Sequence, residues 1–217
     1  MIPLESLLLF LSLTMLVAGT IFLFVVLRSR SSTQAAESVD RGDFQEALEL
    51  VEGEHDPARD DLMAGAIAAK HLVDFKRADA LLDRILSAEP ADGEAWLERG
   101  LVAAYSERLD AAREALGRSV SLRADLLESV TLHRAWVALR ADDTRQAKAL
   151  FDEIEVPLET KLRQDLGEGD AAFADWFHQA GDLWDAKGDS ERAAWAHDAA
   201  RRAAPESRLF DYLAGLR

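Results

Sequence analysis

The sequence predicts an all-α fold in which an N-terminal transmembrane helix precedes a solenoid of helix hairpins with a C-terminal capping helix. Residues 59–92 and 93–126 are each 34 residues long and align without a gap. A fixed period of this length is typical of stacked structural repeats. Residues 7–27 form a run of 21 residues without a charged side chain, which is the length and character of a membrane-spanning helix.

The two aligned copies each have the pattern of a helix hairpin. Each contains two segments with apolar residues at helical spacing, separated by a short polar break. The aligned positions are Leu62 and Trp96, Ala66 and Gly100, Ala69 and Ala103, Ala78 and Ala112, and Leu82 and Leu116. Small residues such as Gly100 and Ala112 are predicted to lie where paired helices approach closely. Asp92 is predicted to cap the helix that follows it.

The second copy resembles the tetratricopeptide repeat, whose pattern runs Trp-x2-Leu-Gly-x2-Tyr and then Ala-x3-Phe. The residues that carry the resemblance are Trp96, Gly100, Ala112 and Leu116, while Arg99 and Ala103 depart from the family's Leu and Tyr. The resemblance implies a right-handed α-solenoid over residues 31–217. The uncharged apolar run assigns residues 1–30 to a membrane anchor. The best repeats span residues 59–92, 93–126 and 174–207, and weaker copies span residues 31–58 and 128–157.

Two segments near the C-terminus are predicted to depart from the repeat. Val156 and Pro157 are expected to end a helix, because proline removes a backbone donor and clashes with the preceding turn. An inserted short helix is then predicted over Leu158–Leu166, within an insertion of residues 158–173. A terminal helix over Ser207–Leu216 is expected to cap the solenoid, with its inward residues being Leu209, Phe210, Leu213 and Leu216.

The apolar run predicts contact with the lipid bilayer through residues 4–27. At about 1.5 Å per residue its 21 residues span about 31 Å, which matches a hydrocarbon core of about 30 Å. Arg28 and Arg30 follow the run, so the positive-inside rule predicts the N-terminus outside and the repeat domain in the cytoplasm. The alternatives are an extracytoplasmic repeat domain and, with few features in its favour, a cleaved signal peptide.

Charge and residue types narrow the function classes. The chain carries a formal net charge of −15, which disfavours nucleic acid as a partner. It has no cysteine, and its five histidines form no known metal-binding array. We therefore predict no catalytic residue, no cofactor and no metal. The remote alternative is a metal-dependent enzyme that uses Asp175, His178, Asp182 and Asp185.

The resemblance also implies where a partner would bind, because the first helix of each hairpin lines the concave face in this family. The apolar residues placed there are Met63, Ile67, Leu97, Leu101, Tyr105, Leu132 and Trp136, and Asp175, Asp182 and Asp185 form an acidic end. An amphipathic helix with basic side chains fits such a trough.

The leading hypothesis is thus a membrane-tethered adaptor for an unidentified protein or peptide. The alternative is an extracytoplasmic assembly factor or chaperone. The chain's own terminal or inserted helix, or a second copy in a homo-oligomer, could instead cover the trough.

Overall fold

The computed structural model describes residues 34–165 and 171–216, and this part of the chain contains eleven α-helices and no strand. The helices are α1 (residues 34–40), α2 (Phe44–Gly53), α3 (Arg59–His71), α4 (Phe75–Ala88), α5 (Gly93–Tyr105), α6 (Leu109–Leu122), α7 (Leu127–Arg140), α8 (Thr144–Asp165), α9 (Ala174–Lys187), α10 (Ser190–Ala203) and α11 (Leu209–Gly215). Short 3-10 turns at Ala124–Leu126 and Ala171–Phe173 precede α7 and α9. The predicted all-α fold is confirmed for this part.

Helices α1 to α10 pair into five successive hairpins, each closed by the same turn. One or two residues after the first helix of each hairpin ends, the backbone has a left-handed conformation; these residues are Gly42, Val73, Glu107, Asp142 and Gly188. In the α3–α4 hairpin, the amide of Val73 donates to the Lys70 carbonyl and the amide of Asp74 donates to the Ala69 carbonyl. The same pair of bonds recurs in the other four hairpins, so they are structural copies of one unit.

Aspartates begin several of these helices. The predicted cap Asp92 accepts hydrogen bonds from the amides of Glu94 and Ala95 at the start of α5. Asp74 and Asp189 do the same at the starts of α4 and α10. Such caps satisfy amides that have no partner inside the helix.

The helix crossings are as close as the small residues predict. A Cβ atom added to Gly100 would lie 2.8 Å from the side chain of Leu116 on α6. Ala112 on the same helix is 0 % exposed. Paired helices α5 and α6 therefore pack with no room for a larger side chain at either position.

The predicted inserted helix over Leu158–Leu166 is wrong as a separate element, because α8 continues through Pro157 to Asp165. The apolar stripe of α8 is continuous across the proline, and its buried residues are Ala147, Phe151, Ile154, Leu158 and Leu162. Arg192 of α10 also pairs with Glu155 and Glu159, one on each side of the proline, at 3.0 Å each. These contacts offset the cost of about 3 kcal/mol for an internal proline.

The C-terminal end of the chain returns to the second hairpin, α3–α4, and closes the solenoid. The amide of Arg208 donates to the carbonyl of His71, and the His71 ring hydrogen-bonds through Nδ1 to Ser207 Oγ at 2.9 Å. The rings of Phe75 on α4 and Tyr212 on α11 meet edge to face at 5.5 Å. The C-terminal end of the array is thus in direct contact with its second hairpin.

Helix α11 contributes to this closure as well as capping the last hairpin. Leu209, Phe210 and Leu213 are buried as predicted. Leu216 is 42 % exposed, which corrects the expectation that it packs inward. Leu216 follows the last residue of α11 and lines a surface cleft, which accounts for its exposure.

The predicted membrane span over residues 7–27 lies outside the described residues. None of the described helices combines the length and apolar character that crossing a bilayer requires.

Candidate functional site

A buried ion pair crosses the concave face between α3 and α9. Lys70 Nζ lies 2.5 Å from Asp175 Oδ2 and 3.1 Å from Glu98 Oε2, and the Lys70 side chain is 2 % exposed. Burial alone would lower the pKa of Lys70, but the two carboxylates raise it above its ordinary value. Burial would likewise raise the pKa of Asp175, and the Lys70 charge holds it well below the ordinary range. Both groups are therefore charged over the whole physiological range.

His71 connects this ion pair to the closure. Its ring stacks on Phe44 of α2, with centroids 4.2 Å apart, and its Nε2 atom lies 4.0 Å from Asp175 Oδ2. Burial lowers the pKa of His71 to about 4, aided by the nearby Lys70 charge. The imidazole is therefore neutral near pH 7.

A chain of polar side chains continues through the centre of the concave face. His133 on α7 hydrogen-bonds through Nδ1 to Gln179 Oε1 at 2.7 Å, and Gln179 Nε2 donates to the Tyr105 hydroxyl at 2.8 Å. Burial lowers the pKa of His133 to about 4. Burial and the Asp175 charge raise the pKa of Tyr105 well above its ordinary value. This network joins α5, α7 and α9 across the array.

The concave face is not the open apolar trough that the sequence analysis expected. Tyr105, Leu132 and Trp136 are 0 % exposed, and Leu101 and Met63 are 3 % and 9 % exposed. The cover comes mainly from α9, whose polar residues contact α3, α5 and α7. These five residues form part of the buried core instead of an open surface. Ile67 and Leu97 are partly accessible and remain candidates for partner contact.

A small cavity of about 140 Å³ remains within the concave face. Ile67, Leu97 and Leu101 form part of its wall, beside the Lys70–Asp175 pair. This volume is about that of one medium-sized side chain.

A larger, acidic cleft of about 400 Å³ opens between the C-terminal ends of α7, α9 and α11. We call it the acidic cleft, and its lining residues are Leu139, Arg140, Asp142, Asp182, Asp185, Ala186 and Leu216. The Arg140 guanidinium pairs with Glu107 at 2.6 Å and lies over the Trp136 ring. Within residues 34–165 and 171–216, Asp142 and Asp185 take part in no ion pair, so the cleft is net negative.

The three acidic residues predicted for one end of the groove have different surroundings. Asp175 is buried in a salt bridge with Lys70, whereas Asp185 is exposed in the acidic cleft. Asp182 is 8 % exposed and accepts a hydrogen bond from Trp136 Nε1 at 2.9 Å.

The structure also groups His178, Asp182 and His197, with one possible ligand atom from each lying within 4.8 Å of the others. His178 and Asp182 belong to the set named for the remote metal-enzyme alternative, while Asp175 and Asp185 lie elsewhere. His197 was missed by the sequence analysis. The sequence feature that could have indicated it is the repeat pattern, which pairs the second helix of the last hairpin, where His197 lies, with the small residue Gly181 on the first.

Comparison with known proteins gives the fold a wider context. No protein-family model matches the chain, and no curated protein matches it. The structure of pilF from Pseudomonas aeruginosa is 17% identical, with a TM-score of 0.52 over 88% of this chain and 97% of that one. MamA MSR-1 is 14% identical, with a TM-score of 0.51 over 83% of this chain and 98% of that one. The fold is that of a tetratricopeptide-like solenoid.

A third structure, YrrB, is described as a TPR protein with an unusual peptide-binding site. It is 18% identical, with a TM-score of 0.46 over 85% of this chain and 90% of that one. The likeness to pilF and MamA MSR-1, with TM-scores above 0.5, shows the kind of fold alone, and function has to be argued from the site itself.

Proposed function

We propose that this protein is a membrane-tethered adaptor that binds another protein through a short amphipathic helix carrying a basic side chain. The acidic cleft is the observation that carries the proposal. It pairs two exposed carboxylates, Asp142 and Asp185, with apolar contacts from Leu139 and Leu216. A lysine or arginine of the partner would lie between the carboxylates while its apolar neighbours cover the leucines.

Tethering is proposed for residues 7–27, with the repeat domain in the cytoplasm. The support is the uncharged run and the arginines at positions 28 and 30 that follow it. A reporter fused after Arg217 should read as cytoplasmic, and protease added to sealed vesicles of the same orientation should leave the repeats intact. An exported reporter would favour the extracytoplasmic alternative.

Site-specific photo-crosslinking in the membranes of the source cells tests the adaptor. A photo-reactive residue replaces Leu216 in the full-length chain, and a second chain carries it at Leu122. The two positions are 42 % and 43 % exposed, but Leu122 ends α6 and does not line the cleft. The proposal expects a protein that is captured from position 216 and not from position 122.

Charge variants then test how that protein is held. The double variant Asp142→Asn/Asp185→Asn should weaken its binding about tenfold, because two exposed contacts of about 0.7 kcal/mol each sum to about 1.4 kcal/mol. The control double variant Glu128→Gln/Glu153→Gln removes the same charge from exposed helix positions outside the cleft. Equal capture from both positions, or equal binding by both double variants, would contradict the proposal.

A further inference from the structure

Two histidines and an aspartate meet where α9 packs on α10. His178 and Asp182 lie one helical turn apart on α9, and His197 faces them from α10. Asp182 Oδ1 lies 2.9 Å from His197 Nε2, and Asp182 Oδ2 lies 3.7 Å from His178 Nε2. Ligands held tetrahedrally at about 2.0–2.2 Å from a zinc ion are roughly 3.5 Å apart. Only small side-chain adjustments separate the observed arrangement from that geometry.

Both imidazole rings are fixed in place by their surroundings. A Cβ atom added to Gly181 would lie 2.5 Å from Nε2 and Cδ2 of His197, so the ring lies directly on the α9 backbone. The His178 ring stacks on Phe210 of α11, with centroids 5.0 Å apart and planes at 30°. His178 is 5 % exposed. The positions of the two rings are therefore set by three different helices.

The carboxylate has a supporting partner as well. Trp136 Nε1 donates to Asp182 Oδ2 at 2.9 Å, which orients the carboxylate toward the histidines. Hydrogen bonds of this kind fix ligand orientation in metal sites. A cavity of about 60 Å³ adjoins the cluster and is lined by His178, His197, Arg201, Phe210 and Ala214. At about 30 Å³ per water molecule, it has room for a water ligand.

We propose that His178, Asp182 and His197 bind one divalent zinc-class ion, with a water molecule from the adjoining cavity as the fourth ligand. Two imidazole nitrogens and one carboxylate oxygen form a donor set that zinc uses with an open fourth position. The same donors suit Co²⁺ and Ni²⁺, whereas Mg²⁺ and Ca²⁺ prefer oxygen ligands alone. On binding, the Nε2 proton that His197 donates to Asp182 is lost to solvent while Nδ1 carries the ring proton, or moves to Nδ1 through solvent, so that Nε2 has a free lone pair. The hydrogen bond is then replaced by one metal bond from His197 and one from Asp182. The site shares Asp182 with the lining of the acidic cleft, but ion binding there does not depend on the proposed adaptor function.

Metal titration of the full-length chain, purified without a histidine tag and stripped with a chelator, tests the site. Zn²⁺ is titrated in competition with a chromophoric chelator, and Co²⁺ absorption in the visible region reports the coordination geometry. We expect one Zn²⁺ per chain, a tetrahedral Co²⁺ spectrum, and no competition from a thousandfold excess of Mg²⁺.

Variants locate the ion. His197→Gln and His178→Gln should each lower the affinity by at least the roughly 10- to 100-fold that loss of an outer-shell partner causes. His55→Gln is the control, because His55 is exposed in the loop before α3 and lies outside the cluster. It should leave both stoichiometry and affinity unchanged.

Two glycine variants distinguish an effect on metal binding from a general effect on helix packing. Gly181→Ala pushes on the His197 ring, and Gly100→Ala pushes on Leu116 at the corresponding crossing of α5 and α6. The first should weaken Zn²⁺ binding about tenfold or more and the second should not. Binding that is absent, that survives both histidine variants, or that is lost equally in both glycine variants would overturn the proposal.

Discussion

Replacing Lys70 with methionine should destabilise the repeat domain more than any change of a surface charge. Methionine keeps the length of the side chain but removes the ammonium that lies 2.5 Å from Asp175. The carboxylate of Asp175, whose side chain is 7 % exposed, would then be buried without its cation. Breaking a buried pair from one side costs about 3–5 kcal/mol. That is a large part of a total stability of about 5–15 kcal/mol.

Urea unfolding of the full-length chain, followed by tryptophan fluorescence, measures this loss. All five tryptophans lie between positions 96 and 195, so the signal reports on the repeats alone. The double variant Lys70→Met/Asp175→Asn also removes the more deeply buried carboxylate and should recover most of the loss. The remaining carboxylate, Glu98, has a side chain that is 17 % exposed and keeps contact with solvent.

Arg113→Met provides the control for charge removal. Arg113 pairs with the fully exposed Asp110 at 2.8 Å, and such pairs contribute about 0.2–1 kcal/mol. A Lys70→Met loss no larger than that of Arg113→Met would refute the argument. A double variant as unstable as the single one would also refute it.

Three further outcomes follow from burial and packing. Burial lowers the pKa values of His71 and His133 to about 4, so between about pH 6.5 and 4 the unfolded chain binds more protons than the folded one. The free energy of unfolding should therefore decrease as the pH is lowered from about 6.5 to 4. His133→Gln should make this decrease smaller in urea titrations at stepped pH. Gly100→Leu should cost about 1–3 kcal/mol by overpacking, whereas Gly117→Ala, with no atom within 4 Å of the added Cβ, should cost nothing in the same assay. Trp136→Ala should lose about 3–5 kcal/mol, because its ring is 0 % exposed; a loss under about 1 kcal/mol would return it to the partner-binding surface.

Local features of the fold were predictable because they depend on neighbours in sequence. The 34-residue period predicts the hairpins, and the small residues Gly100 and Ala112 predict the close helix crossings. Asp92 predicts where a helix begins. Pro157 shows the limit of a local rule. Its effect on helix α8 is offset by contacts with α10, which the residues around the proline do not reveal.

Closure of the solenoid could not be predicted in the same way. Lys70 and Asp175 are 105 positions apart, and their contact depends on the rotation added by every intervening hairpin. Tyr105 and Trp136 were therefore predicted to line an open groove, and no neighbour in sequence indicates that α9 would bury them. The same reason explains why the cluster around His197 was not anticipated.

Cross-linking of the second hairpin to the C-terminal helix tests the closed solenoid most directly. The chain has no cysteine of its own, so Phe75→Cys and Tyr212→Cys introduce the only two thiols, at rings that are 5.5 Å apart. A short bismaleimide should join them within one chain, and protease cleavage between the two positions should leave the fragments linked. The control pair is Phe75→Cys with Lys148→Cys, which is exposed on α8. Efficient linkage of the first pair alone is the result that closure predicts, and equal or absent linkage of both pairs would contradict it.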